Sequence, residues 1–311
     1  MRYVPTIAAS GFAAFSLGCL SVTSAAAQDT GQDSDDQVII VEGTVEVDGT
    51  EARRQARDIT AERGSTANPL ARFRRPICPG VWGLSQENAE LIANRIYDNA
   101  ERIGLEINDT PECDANLWVI FVDDPESTFA DLEEENGWMV RDLQPSERNA
   151  VTDQTGPVRA WSVASTRTED GTPINTGFDA AGANLENRMN PNAGGSPIAP
   201  TTNMSRLRTA IRRDLDQSFV LIQRSAIADL DALAVADYAT MRTFARTEEP
   251  SQSGTYSTVL SLFQDDSAPD RITAFDISYL RSLYTGDGMR PGSRTFTSLD
   301  ENMEEELLGE Q

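Results

Sequence analysis

One run of residues narrows the fold more than any other. Positions 116–122 read Asn-Leu-Trp-Val-Ile-Phe-Val, apolar at every place after the first. A strand sends alternate side chains to opposite faces, so a run that is apolar at both parities has to be covered on both sides. The spacing predicts a central, buried strand. An amphipathic helix stands before it. Ala89, Ile92, Ile96, Ala100 and Ile103 recur at three and four residues, with Ser85 as the N-cap and Gly104 as the stop.

Other elements follow from the same periodicities. Residues 158–165 read as a second strand around Trp161, and 126–135 as a helix opened by Asp123-Asp124-Pro125. Val38-Ile39-Ile40-Val41 with Val45 and Val47 reads as a strand or hairpin, and 51–62 as an Arg-rich helix closed by Gly64. Residues 206–213 and 219–223 are expected to form a hairpin turning near Asp214-Leu215-Asp216, with Arg212 and Arg213 on its surface paired to Asp214 and Asp216. A long helix over 227–245 places Leu230, Ala234, Tyr238, Met241 and Ala245 on one side. Thr273-Ala274-Phe275-Asp276 has the form of a capping box and opens a last helix with Ile277, Leu280, Leu283 and Tyr284 on its apolar face. Residues 169–203, rich in Gly, Pro, Asn and Thr, are expected to be a long irregular loop. The expected fold class is α+β, a mixed sheet with packed helices in one domain over 38–292. A disordered acidic linker over 28–37 precedes it and a solvated acidic tail over 293–311 follows.

The first 27 residues read as a signal peptide. Arg2 supplies the positive region, 7–20 is mostly small and apolar, and Ala25-Ala26-Ala27 precedes a cut before Gln28. The rival is lipidation at Cys19, although Ser16 stands where a lipoprotein box carries a large aliphatic residue. No later apolar run is long enough to span a bilayer. Export would place the chain in the periplasm or outside the cell. Cys78 and Cys113 then remain, an even pair in an oxidising compartment. They read as one disulfide, closing a loop of about 35 residues worth roughly 4 kcal/mol. A pair of free thiols is the alternative.

The charge balance and missing residues exclude whole classes of chemistry. All 26 basic residues are arginine, set against 50 acids, for a net charge of −24. Nucleic acid and anionic membrane surfaces are therefore not expected partners. The chain has no His and no Lys. Ser-His-Asp and Cys-His nucleophiles, a lysine Schiff base and a Walker phosphate loop are closed to it. Carboxylate pairs remain. Asp123-Asp124, at the end of the buried strand, is the candidate pair, suited to Ca²⁺ or Mg²⁺. Its plainer reading is that it ends the strand and caps the next helix. Glu133-Glu134-Glu135 reads as a solvated helix face.

Two patterns carry a resemblance. The first is Arg72-Phe73 through Pro76-Ile77-Cys78-Pro79-Gly80-Val81, with the helix to Gly104 and the strand after Cys113. The second is Ala236-Asp237-Tyr238-Ala239-Thr240-Met241-Arg242, with Phe275-Asp276 and Tyr279-Leu280-Arg281-Ser282-Leu283-Tyr284 downstream. Together, over about residues 38–292, they resemble a group of exported alphaproteobacterial proteins, a resemblance that implies no activity. The order of elements is also similar to that of zincin-type metallopeptidases. In that family the long helix carries His-Glu-x-x-His, two zinc ligands and a Glu that activates water. The matching positions here are Asp237, Tyr238 and Met241, and none keeps the family's residue. The resemblance thus implies a degenerate zincin-like fold without its metal site. From the residues alone, Tyr238 and Met241 are core positions of an amphipathic helix. The expected function is non-enzymatic: an exported binding or structural protein, with no cofactor and a partner in the cell envelope. The alternatives are a hydrolase working through Asp123 and Asp124, and a lipoprotein anchored through Cys19.

Overall fold

A computed structural model describes residues 46–62, 68–174, 188–189, 208–265 and 267–309. The expected signal peptide, Cys19, the acidic linker, the segment Val38 to Val45, Gly64 and most of the 169–203 loop lie outside these residues.

The sheet is built on the predicted central strand. β2 (Leu117–Val122) lies between β1 (Pro79–Trp82) and β4 (Arg212–Gln223), both parallel to it. β3 (Val158–Arg167) pairs antiparallel with β4, giving the order β1-β2-β4-β3. This is an α+β fold with a mixed sheet of four strands. Alternation on β2 works as expected. Leu117, Val119 and Phe121 join one hydrophobic cluster, while Ile120 joins a second with Trp161, Phe219 and Leu221. The first cluster is completed by α1 (Gly49–Asp58), α2 (Gln86–Arg102), α5 (Ala232–Phe244), α6 (Ala274–Tyr284) and α7 (Leu299–Gly309). The second is covered by α3 (Pro125–Glu134) and α4 (Pro145–Thr152).

The disulfide joins Cys78 to Cys113, with Cα atoms 6.2 Å apart. It ties the entry of β1 to the approach of β2. The two patterns that carried the resemblance also meet. Arg72 is buried and donates from Nη1 to Leu283 O at 3.0 Å and from Nη2 to Gly286 O at 2.6 Å, capping the C-terminus of α6. Burial, with Arg74 nearby, brings its pKa down to about 10. Tyr284 closes the same contact, accepting from Phe73 N–H and donating to Phe244 O at 2.6 Å.

Four expectations need correction. The 206–223 segment is no hairpin in its described part: β4 is one 12-residue strand. Asp214 and Asp216 mimic a turn in sequence. Instead Asp216 occupies a bulge, since Val163 pairs with Gln217 and Ala164 with Leu215. Arg167 binds both carboxylates, and Arg212 binds Asp214 at 3.0 Å. Arg213 pairs with Glu62 instead. The long helix starts at Ala232 rather than near 227, because the Asp231 side chain takes Leu233 N–H at 2.8 Å. Arg224–Ile227 is a separate 3₁₀ turn. The acidic tail is not a solvated end: α7 buries Leu299, Met303 and Glu306, and Glu306 accepts from both Arg102 and Arg281. Val47, finally, lies in irregular chain rather than a strand.

β1 and α4 were not legible in advance. β1 contains Pro and Gly, which strands disfavour. Gly80 is required by contact: a Cβ there would meet Trp118 Cε3 at 2.6 Å. The Trp118 ring in turn meets Trp82 edge-on at 5.3 Å between centroids.

Candidate functional site

α5 carries two charged side chains into the interior, and they have opposite fates. Asp237 is fully buried. It accepts from Arg95 Nε at 2.7 Å and Arg95 Nη2 at 2.9 Å on α2, from Asn99 Nδ2 at 2.7 Å, and from Ile272 N–H at 2.9 Å. Those donors saturate both oxygens. The hydrogen bond from Arg95 also raises the arginine's own pKa. Asp237 is therefore a joint between α2, α5 and the chain entering α6. Tyr238 is buried too, donating to Glu249 Oε1 at 3.0 Å, and burial pushes its hydroxyl pKa up. Met241 is a core residue with no exposed surface. The three positions matched to the metal motif thus face different neighbours and converge on no common point.

The second charge is Arg242, in the last turn of α5 and 6% exposed. Its Nη2 donates a long bond of 3.3 Å to Gln154 Oε1, its Nε has no hydrogen-bond partner, and its guanidinium lies 5.9 Å from the Tyr238 ring centroid. Among the described residues no carboxylate pairs with it. A buried charge costs several kcal/mol of desolvation even after relaxation. The helix C-terminus returns up to about 2 kcal/mol, and an aromatic face about 0.5–2 kcal/mol. The guanidinium therefore sits in the fold incompletely compensated.

Arg242 lines a cavity of about 290 Å³ between α4, β3 and the end of α5. Two more cations line it, Arg213 and Arg246, but each is neutralised. Glu62 accepts from both, at 2.8 Å for Arg246, and Glu147 takes the other arm of Arg246 at 3.0 Å. Leu143, Val151, Ala160 and Trp161 give the cavity an apolar wall. Gln154, also in the lining, is held in place: its amide exchanges two 2.8 Å bonds with the backbone of Ala160 on β3. Ser162, on the same wall, holds a buried hydroxyl with no partner.

The acidic pair singled out from sequence lies elsewhere. Asp124 caps α3, accepting from Glu126 N–H at 3.0 Å. Asp123 is exposed and pairs with Arg224. Neither lines the cavity. Glu134 and Glu135 are exposed at the end of α3, and Glu133 is half-buried there. Among the described residues no cluster of three or more Asp, Glu or Cys could hold a metal ion, and no helix is long and apolar enough to cross a membrane.

No protein-family model, curated protein or solved structure matches the chain. The site rests on its own geometry. Sequence reading passed over Arg242, Gln154 and Ser162. One signal was available for Arg242: it and Asp237 are the only charges in the α5 stretch Ala-Leu-Ala-Val-Ala-Asp-Tyr-Ala-Thr-Met-Arg-Thr-Phe.

Proposed function

We propose that this chain is an exported binding protein without catalytic turnover, built on a degenerate hydrolase-like scaffold and acting in the periplasm or outside the cell. The observation that carries the reading is the saturation of Asp237. At the helix position where a metallopeptidase would present a zinc ligand, a buried carboxylate spends its lone pairs on Arg95, Asn99 and Ile272 N–H. A ligand needs a free lone pair and an open coordination position, and this one offers neither. Support for the scaffold comes from the element order: a helix, a central strand, further strands, then a buried helix, a loop and a helix ending Leu283-Tyr284. The Cys78–Cys113 disulfide fits an oxidising compartment.

The test pairs turnover with metal binding. Pure protein lacking an affinity tag is assayed against a casein and a peptide-ester panel, and titrated with zinc and calcium by calorimetry. The expected result is no turnover and no stoichiometric metal. Robust hydrolysis that vanishes in Asp123→Ala or Asp124→Ala would reinstate the carboxylate hydrolase.

A further inference from the structure

We infer that the cavity at the end of α5 is a binding site for a small organic carboxylate with a short apolar body, gripped by Arg242. This rests on the reading of the chain as a binding protein and adds the chemistry of its ligand. Arg242 is more than nine-tenths buried, lines the cavity, and among the described residues has Gln154 and Tyr238 as its polar and aromatic partners. Its neighbours Arg213 and Arg246 are already paired with Glu62 and Glu147, which among the described residues leaves Arg242 as the lining cation without a carboxylate partner. A flat guanidinium with unused donors matches a carboxylate in two parallel bonds.

The rest of the cavity selects among anions. Glu62, Glu147 and Glu248 also line it and equal its three arginines in number, so a dianionic phosphate would meet as many carboxylates as cations. A monoanion meets far less repulsion. Leu143, Val151, Ala160 and Trp161 offer apolar contact beside the arginine. The volume, about 290 Å³, lies at the small end of ligand cavities, which run roughly 300–1,000 Å³. A branched or aromatic acid of modest size fits all these terms. The carboxylate can belong to a free acid or to the C-terminus of a peptide.

Calorimetric titration of the full chain tests this with 3-methylbutanoate, acetate, N-acetyl-Ala-Leu, the amide of that dipeptide, and inorganic phosphate. The 3-methylbutanoate or the dipeptide acid should bind with saturation. Acetate, lacking the apolar body, should bind at least tenfold more weakly, and the amide and phosphate should give no saturable heat. A response to the free acid marks a metabolite site, and a response to the dipeptide alone marks recognition of a chain terminus. Arg242→Met should weaken binding at least thirtyfold while circular dichroism stays native and the melting temperature does not fall, and Arg242→Lys should recover only part of the loss. The inference is overturned if neither acid binds, if amide or phosphate binds equally well, or if folded Arg242→Met binds like the wild type. Hydrolysis of substrates in the separate turnover assay would instead strike the non-catalytic reading and leave this result standing.

Discussion

The saturation of Asp237 makes a quantitative demand on stability. Asp237→Ala removes the acceptor from four hydrogen bonds at once. The bereaved groups differ in what they can do next. Arg95 is 23% exposed in its side chain, so its guanidinium can turn towards water. Asn99 keeps Thr240 Oγ1 at 3.0 Å as a second partner for its amide. The backbone N–H of Ile272 has neither route, and an orphaned buried donor costs about 1–3 kcal/mol. Loss of the charge-assisted bonds adds about 1.5–3 kcal/mol. The sum falls at about 2.5–6 kcal/mol, which brackets the ~3–5 kcal/mol for breaking a buried ion pair from one side. Asp237→Asn keeps one acceptor oxygen and should cost about 2 kcal/mol less than the alanine.

Urea unfolding at pH 7, followed by far-ultraviolet dichroism and tryptophan fluorescence together, reads these numbers if the two transitions coincide. The double variant Arg95→Met with Asp237→Leu removes both charges. Its cost should fall short of the sum of the single costs by at least ~1.5 kcal/mol, the coupling expected of residues in contact. Millimolar zinc should leave the wild-type midpoint unmoved, since a metal bound to the native state would raise it by mass action. A cost below about 1 kcal/mol for Asp237→Ala would refute the view that this carboxylate is a structural joint.

Other consequences are equally direct. Replacing both Cys78 and Cys113 by Ala frees a loop of 35 residues and should cost roughly 4 kcal/mol by urea unfolding. Glu306→Ala should loosen α7, because it removes the carboxylate that Arg102 and Arg281 share; faster amide exchange over 299–309 with little change elsewhere is the expected signature. Asp276, fully buried in the α6 capping box, has its pKa pushed up to about 6 by burial, against the pull of the Thr258 hydroxyl and Val259 N–H. The folded state then holds this proton more tightly than the unfolded one, whose value is 3.8. Its contribution to stability is present below pH 3.8 and falls as pH rises towards 6, by about 3 kcal/mol at most. Asp276→Asn should remove that slope, and the difference between the two pH–stability curves is the measurement.

What the sequence revealed and what it hid follow one physical rule. Elements announced themselves where a residue's role is set by near neighbours in the chain. The alternation of β2, the helical face of Ile92 and Ile96, the Ser85 cap and the Thr273–Asp276 box are all of that kind. Elements hid where distant partners decide. Asp214 and Asp216 look like turn residues until Arg167, far away in sequence, holds them in a strand. The glutamates of α7 look solvated until Arg102 and Arg281 bury one of them. Gly80 weakens β1 in any local scale, and only the Trp118 ring explains it. The candidate site is the extreme case. Its members come from α4, β3, β4, α5 and the chain segments beside them, and nothing in their spacing joins Gln154 to Arg242.

The two interior charges of α5 separate structure from function, and the separation can be measured. A charge held for the fold should be satisfied by the fold, as Asp237 is. A charge held for a ligand should weigh on the free protein until the ligand arrives. Arg242 has a 3.3 Å hydrogen bond to Gln154, the nearby Tyr238 side chain and an unbonded Nε to set against its desolvation. Methionine spans much of the same length without the charge, so Arg242→Met trades an uncompensated cation for apolar packing against Tyr238. The free protein should then be unchanged or more stable by about 1–2 kcal/mol, the gain often seen when a functional strain is relieved. A loss of more than about 2 kcal/mol would show that the arginine is structural after all, with Gln154, Tyr238 and the helix end sufficient to hold it. The sign of that one number, opposite to the sign expected at Asp237 five residues earlier on the same helix, tells whether the cavity exists for a guest.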